Sequence, residues 1–100
     1  MKYNKLVRDK IPEYIKQKGG RAEIHIAELE EYWEKLKEKL KEEVSEFYEA
    51  ENIEELADVM EVIDTIIEFK KFSKKEIEKV RIDKAEKRGR FTKRIILDES

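Results

Sequence analysis

Apolar residues recur at steps of three and four from Leu29 through Trp33, Leu36, Leu40 and Val44 to Phe47. That spacing places them on one face of an α-helix, whereas a half-buried strand would alternate at every residue. The helix is predicted from Glu28 to about Ala50, roughly 34 Å at 1.5 Å per residue. Asn52 is placed to cap a second helix, with Glu55 three residues on, as in a capping box. This helix is predicted to run to about Lys70. Ser73 and Glu76 repeat the pattern at the start of a third, which Gly89 is expected to end in the left-handed conformation. Earlier in the chain, Pro12 suits the first turn of a short helix and Gly19-Gly20 stops it. Three or four helices with short connections give an all-α fold, a small antiparallel helical bundle. Residues 21–27 alternate in part (Ala22, Ile24, Ile26), so a short extended segment is expected there. Ile95-Ile96-Leu97 is its candidate strand partner.

The chain has 100 residues, which suggests a single domain over 1–100 with a thin core. On the second helix Leu56, Met60, Ile63 and Ile67 share one side, and Val59, Val62, Ile66 and Phe69 widen the arc past half the circumference. So small a chain can hardly cover both flanks of that arc. A homo-oligomer, at least a two-fold dimer, is the simplest remedy. There is no cysteine, which excludes a disulfide framework, a thiolate metal site and a cysteine nucleophile. No apolar run approaches the roughly 18–20 residues of a membrane span, and no signal-peptide pattern is visible, so the expected location is cytoplasmic.

The net charge is only −2, but it is segregated: residues 28–68 hold 16 acids against 4 lysines, and the remainder holds 9 acids against 19 Lys and Arg. Within the acidic block two pairs stand out, Glu43 with Glu46 and Glu55 with Asp58. Residues three apart are neighbours on a helix face, so each pair can aim two carboxylates at one spot. A short turn near Glu51 and Asn52 makes the helices antiparallel neighbours and brings the pairs together. Glu43 lies about 60° from the centre of the first helix's apolar stripe and Glu46 at its edge, while Glu42 and Glu49 project to the far side. Glu55 and Asp58 fall within or beside the apolar arc of the second helix. Clustered inward carboxylates repel one another and raise their own pKa values unless a cation joins them. Oxygen donors without His or Cys point to Mg²⁺ or Mn²⁺, with Ca²⁺ as the lesser alternative. Salt bridges to Lys and Arg from elsewhere are the other way to neutralise the cluster.

The basic counterpart lies on the third helix, where Arg81, Lys84 and Arg88 continue the face of Ile77 and Val80, expected to pack inward. Cations beside a carboxylate-bound metal suit a polyphosphate. The basic stretch is short and the net charge negative, which argues against a nucleic-acid partner. Trp33 is expected to pack, Tyr32 sits at the margin of the stripe, and His25 is a lone histidine without an assigned role.

At these residues the chain resembles the all-α nucleotide pyrophosphohydrolases, the MazG-like group that includes phosphoribosyl-ATP pyrophosphohydrolase. The signature, ExxE followed by ExxD, reads here as Glu43-Val44-Ser45-Glu46 and Glu55-Leu56-Ala57-Asp58. The opening Tyr3-Asn4-Lys5-Leu6-Val7-Arg8-Asp9-Lys10-Ile11-Pro12 and the closing Lys84-Ala85-Glu86-Lys87-Arg88-Gly89-Arg90-Phe91 look like one branch of small house-cleaning members, in which a second glycine often stands where Arg90 is here. The resemblance implies hydrolysis of a nucleoside triphosphate between its α and β phosphates, giving a monophosphate and pyrophosphate. It implies Mg²⁺ on Glu43, Glu46, Glu55 and Asp58, and phosphate contacts from Lys84 and Arg88. Lys5 and Arg8 are the other candidate phosphate contacts. No general base is assigned. Two alternatives stand beside this reading: the phosphoribosyl-ATP activity of histidine biosynthesis, and a non-catalytic, dimeric helical binding module.

Overall fold

The computed structural model describes residues 4–100; Tyr3 of the opening motif lies outside them. Four helices follow one another: α1 (Ile11–Gln17), α2 (Leu29–Ala50), α3 (Ile53–Lys70) and α4 (Lys74–Arg88). Local chemistry explains most of their ends. Pro12 sits in the first turn of α1. The side chain of Asn52 accepts the Glu55 N–H at 2.9 Å, and that of Ser73 accepts the Glu76 N–H at 3.1 Å, so each satisfies one orphan donor of a helix start. The two-residue connection between α2 and α3 turns on Glu51, whose φ of 50° and ψ of 43° are left-handed. Glycine usually fills that place.

The contacts divide the chain into two compact units, one running to Ile66 and the other from Ile67 to Ser100. In the first, α2 packs against α3 as a helical hairpin. Its core is small: Leu36 is 1% exposed, and Val59 and Val62 are 8% exposed each. Trp33, Tyr32, Leu40 and Phe47 are half-buried around it. Leu56, Met60 and Ile63, the first three residues of the expected α3 stripe, are 43%, 59% and 42% exposed. The inward face of α3 in this unit is instead the one carrying Glu55, Val59, Val62 and Ile66.

Three expectations need correction. Residues 21–27 and 95–97 do not pair, and no strand occurs among the described residues; a strand needs a ladder partner to form. Gly89 ends α4 with φ 82° but ψ −177°, which is not the left-handed helical region but one essentially confined to glycine. In the second unit, α4 buries no residue, and Arg81, Lys84 and Arg88 are all exposed. Its apolar residues Ile77, Val80, Ile82 and Ala85 spread over about 200° of the helix, so they define no narrow packing stripe. Among the described residues, no helix is long and apolar enough to cross a membrane.

The core makes a direct prediction. Leu36→Ala should cost about 2–5 kcal/mol of folding stability, a large part of what a domain this size has. Leu29→Ala, at a position 73% exposed on the same helix, should cost far less. Denaturant melts of the two variants compare them, and equal losses would place the core elsewhere.

Candidate metal centre

Helix α2 carries Lys39, Glu42, Glu43 and Glu46, and α3 carries Glu55 and Asp58. The hairpin assembles them into two overlapping carboxylate groups that share Glu43. One joins Glu43, Glu55 and Asp58, and the other joins Glu42, Glu43 and Glu46, with an oxygen of each member within 4.8 Å of the others. All four acids of the paired motifs are therefore in play, but Glu46 is exposed and stands with Glu42 and Glu43. Glu42 itself is half-buried within this cluster. Its expected outward direction is overturned because the N-terminal segment covers it: Lys5 donates to Glu42 Oε1 at 3.2 Å.

Glu43 is the buried member, only 7% exposed. Lys39 lies 3.3 Å from its Oε1 and also donates to Glu42 Oε2 at 3.4 Å. The other oxygen of Glu43, Oε2, has no hydrogen-bond partner among the described residues, and neither has Oε2 of Glu55. Buried polar atoms are nearly always satisfied, and an unsatisfied charged one is costly. Both residues belong to the group closed by Asp58, and carboxylate oxygens are the kind of donor a hard divalent cation accepts.

The electrostatics separate neighbouring residues. Burial pushes the Glu43 carboxyl above its ordinary range and the Glu46 charge adds to that, against the pull of Lys39. Burial acts on Glu42 in the same direction, but hydrogen bonds and charges from Lys5 and Lys39 outweigh it and hold Glu42 below the ordinary range. A carboxylate held down in this way is a poor proton acceptor, which argues against Glu42 as a general base.

Other candidates fall outside this cluster or at its edge. Arg8 donates to Asp58 Oδ1 at 2.8 Å, so Lys5 and Arg8 both reach the acidic group. Lys84 and Arg88 lie on α4 in the second unit. His25 pairs with Glu31, 2.9 Å from Nε2 to Oε1. Lys39 was missed by sequence reasoning. The signal was present in its spacing of three and four residues from Glu42 and Glu43. The surface depressions lined by Ala27–Glu31 and by Glu51–Glu54 contain none of the six clustered residues.

The raised Glu43 pKa fixes a sign. A carboxyl whose folded pKa exceeds its unfolded value binds more protons in the native state. Its charged form therefore opposes folding above the folded pKa, and this handicap disappears as pH falls to the ordinary glutamate value. Glu43→Gln should thus raise the melting temperature near neutral pH with a chelator present. The gain should shrink as the buffer is acidified through that window. A Gln variant that melts at or below the parent in neutral chelator would contradict the desolvation account.

The chain matches no family model, no curated protein and no solved structure, so the chemistry of the centre rests on its geometry.

Proposed function

We propose that the protein is a divalent-cation-dependent nucleotide pyrophosphohydrolase. It would cleave the α–β anhydride bond of a nucleoside triphosphate, with water, to a monophosphate and pyrophosphate. The observation that carries this reading is that Glu43 and Glu55, each with a carboxylate oxygen that has no partner among the described residues, group with Asp58, an oxygen of each of the three lying within 4.8 Å of the others. Glu43, Glu55 and Asp58 would hold Mg²⁺ or Mn²⁺, with Glu46 supplying a further oxygen. The metal, when bound, polarises a phosphate oxygen and lowers the pKa of a ligated water. The chain's own cations do the rest. Lys39 fixes one oxygen of Glu43 and leaves the other for coordination. Lys5 and Arg8 offer donors to the phosphates beside the acidic group. Lys84 and Arg88, one turn apart and exposed on α4 of the second unit, are the phosphate contacts that the motif resemblance implies. The motif resemblance supports the same reaction and a non-standard, house-cleaning triphosphate as substrate.

The exposed Leu56, Met60 and Ile63 support a homodimer built on this face of α3, since they recur at four and three residues and form one continuous stripe.

Two predictions test these readings. Mn²⁺ or Mg²⁺ should raise the melting temperature of the parent through linkage but not that of Glu43→Gln or Asp58→Asn. Both variants should lose pyrophosphate release by about 100-fold or more, beyond the loss typical of outer-shell partners. Lys84→Ala and Arg88→Ala should slow release while keeping the metal response. The substrate panel is standard and modified triphosphates together with phosphoribosyl-ATP. If no member of it releases pyrophosphate, the enzymatic reading falls and a binding module takes its place. For the dimer, sedimentation at micromolar concentration should give at least twice the chain mass, and Met60→Lys with Ile63→Glu should return it to the monomer. A monomeric parent removes the dimer.

A further inference from the structure

Among the described residues, three cations reach the acidic group, and they differ in how firmly they are held. Lys39 sits on α2 itself, one turn before Glu43, with a side chain only 18% exposed and two carboxylates in reach. Lys5 and Arg8 come from the irregular segment ahead of α1. Arg8 makes one ion pair, 2.8 Å to Asp58 Oδ1, from a side chain 60% exposed against 39% for Asp58. Exposed pairs of this kind contribute little to stability and exchange readily with solvent ions. Glu43 Oε2 and Glu55 Oε2 have no partner among the described residues, so among the carboxylates that would hold the metal, Asp58 is the one that these residues give a counter-cation both external and easily displaced.

We infer that Arg8 is an exchangeable counter-cation of the centre: it competes with the divalent ion for Asp58, and once displaced it supplies its guanidinium to the phosphates of the ligand. The inference rests on the metal centre proposed above and assigns its coupling to one residue. A guanidinium and a divalent ion sharing Asp58 repel each other, so metal entry weakens the Arg8 pair. The displaced guanidinium is tethered beside the metal, and its fork of N–H groups matches phosphate oxygens in a way a lysine cannot. Metal binding therefore frees a donor for the anion, which makes the two ligands cooperative. Lys39 cannot serve this purpose, because leaving Glu43 would strand a buried carboxylate.

The test is calorimetric titration of the purified full chain, stripped with chelator, comparing the parent with Arg8→Gln and Arg8→Lys. The first titrant is Mn²⁺ alone. The second is the manganese complex of tripolyphosphate, which carries no base, added to manganese-saturated protein. Arg8→Gln should bind Mn²⁺ about two- to fivefold tighter, the scale of one exposed ion pair. It should bind the tripolyphosphate complex about tenfold more weakly, the scale of a lost charge-assisted hydrogen bond. Arg8→Lys should restore parental Mn²⁺ affinity but only part of the anion affinity. Melting temperatures verify that each variant is folded. Opposite signs in the two titrations are the signature of exchange. If Arg8→Gln matches the parent in both, or weakens both, Arg8 is an ordinary surface pair or a structural strap and the inference is overturned, although the metal centre stands. If the parent takes up no Mn²⁺, the centre itself is wrong and the inference goes with it.

Discussion

Glu43 brings a carboxylate to the place where α2 meets α3, with one oxygen near Lys39 and the other without a partner among the described residues. The rest of the first unit can be understood from that constraint. A buried charge is tolerated only when it is neutralised nearby. The core available to offset the cost is Leu36, Val59 and Val62. The compensation is therefore local and ionic. Lys39 stands one turn back on the same helix, and the N-terminal segment lays Lys5 and Arg8 on the neighbouring acids Glu42 and Asp58. Register follows from the same need. Shifting Glu43 by one position would turn its side chain about 100° around α2, away from Glu55 and Asp58. The two-residue turn at Glu51 and Asn52 prevents that slip and tolerates left-handed φ at a glutamate to do so.

A centre of this kind sits uneasily on so little core. Small domains bury a low fraction of their surface, and here the apolar supply is not exhausted but exposed: Leu56, Met60 and Ile63 remain open on α3. One helix thus serves two tasks. The face with Glu55, Asp58, Val59 and Val62 closes the hairpin, and the adjacent face is left for another surface. Under the proposed dimer, a second copy of the chain covers that face.

The parts of the structure legible in the sequence are those set by local rules. Helical periodicity gave α2 and α3, and Asn52 and Ser73 announced their caps, because capping is a matter of three residues. The two acidic pairs were legible for the same reason: spacing on each helix is local, and a two-residue turn leaves the hairpin little freedom. Glu42 was misjudged because its angle on α2 says where it points but not what arrives to cover it. Lys5 comes from 37 residues away, and no periodicity reports that. Lys39 was overlooked amid alternating Lys and Glu, where one inward lysine looks like the rest. On α4 the cap was readable but the facing was not, since its few apolar residues are spread too widely to name an inward side.

The charge balance around Glu43 suggests why the chain stops short of neutralising its own centre. Lys5 answers Glu42, and Lys39 is the fixed cation for Glu43. Against Glu43, Glu46, Glu55 and Asp58 that leaves an excess of three negative charges, before Arg8 is counted. A second inward lysine on the hairpin, beside Lys39, would partner the orphaned oxygens of Glu43 and Glu55 permanently and raise apoprotein stability, but it would also abolish the difference that, under the proposed function, draws in a divalent cation. Leaving the last counter-charge on an exposed, irregular segment keeps the stabilisation small enough to be given up. Under the proposed function, a divalent ion then lowers the excess to a single charge, and the displaced arginine turns the rim of the same centre toward an anion. Under that proposal the unpartnered oxygens of Glu43 and Glu55 would supply the driving force for ligand binding, because a buried polar atom left unsatisfied is costly and a ligand that satisfies it removes that cost.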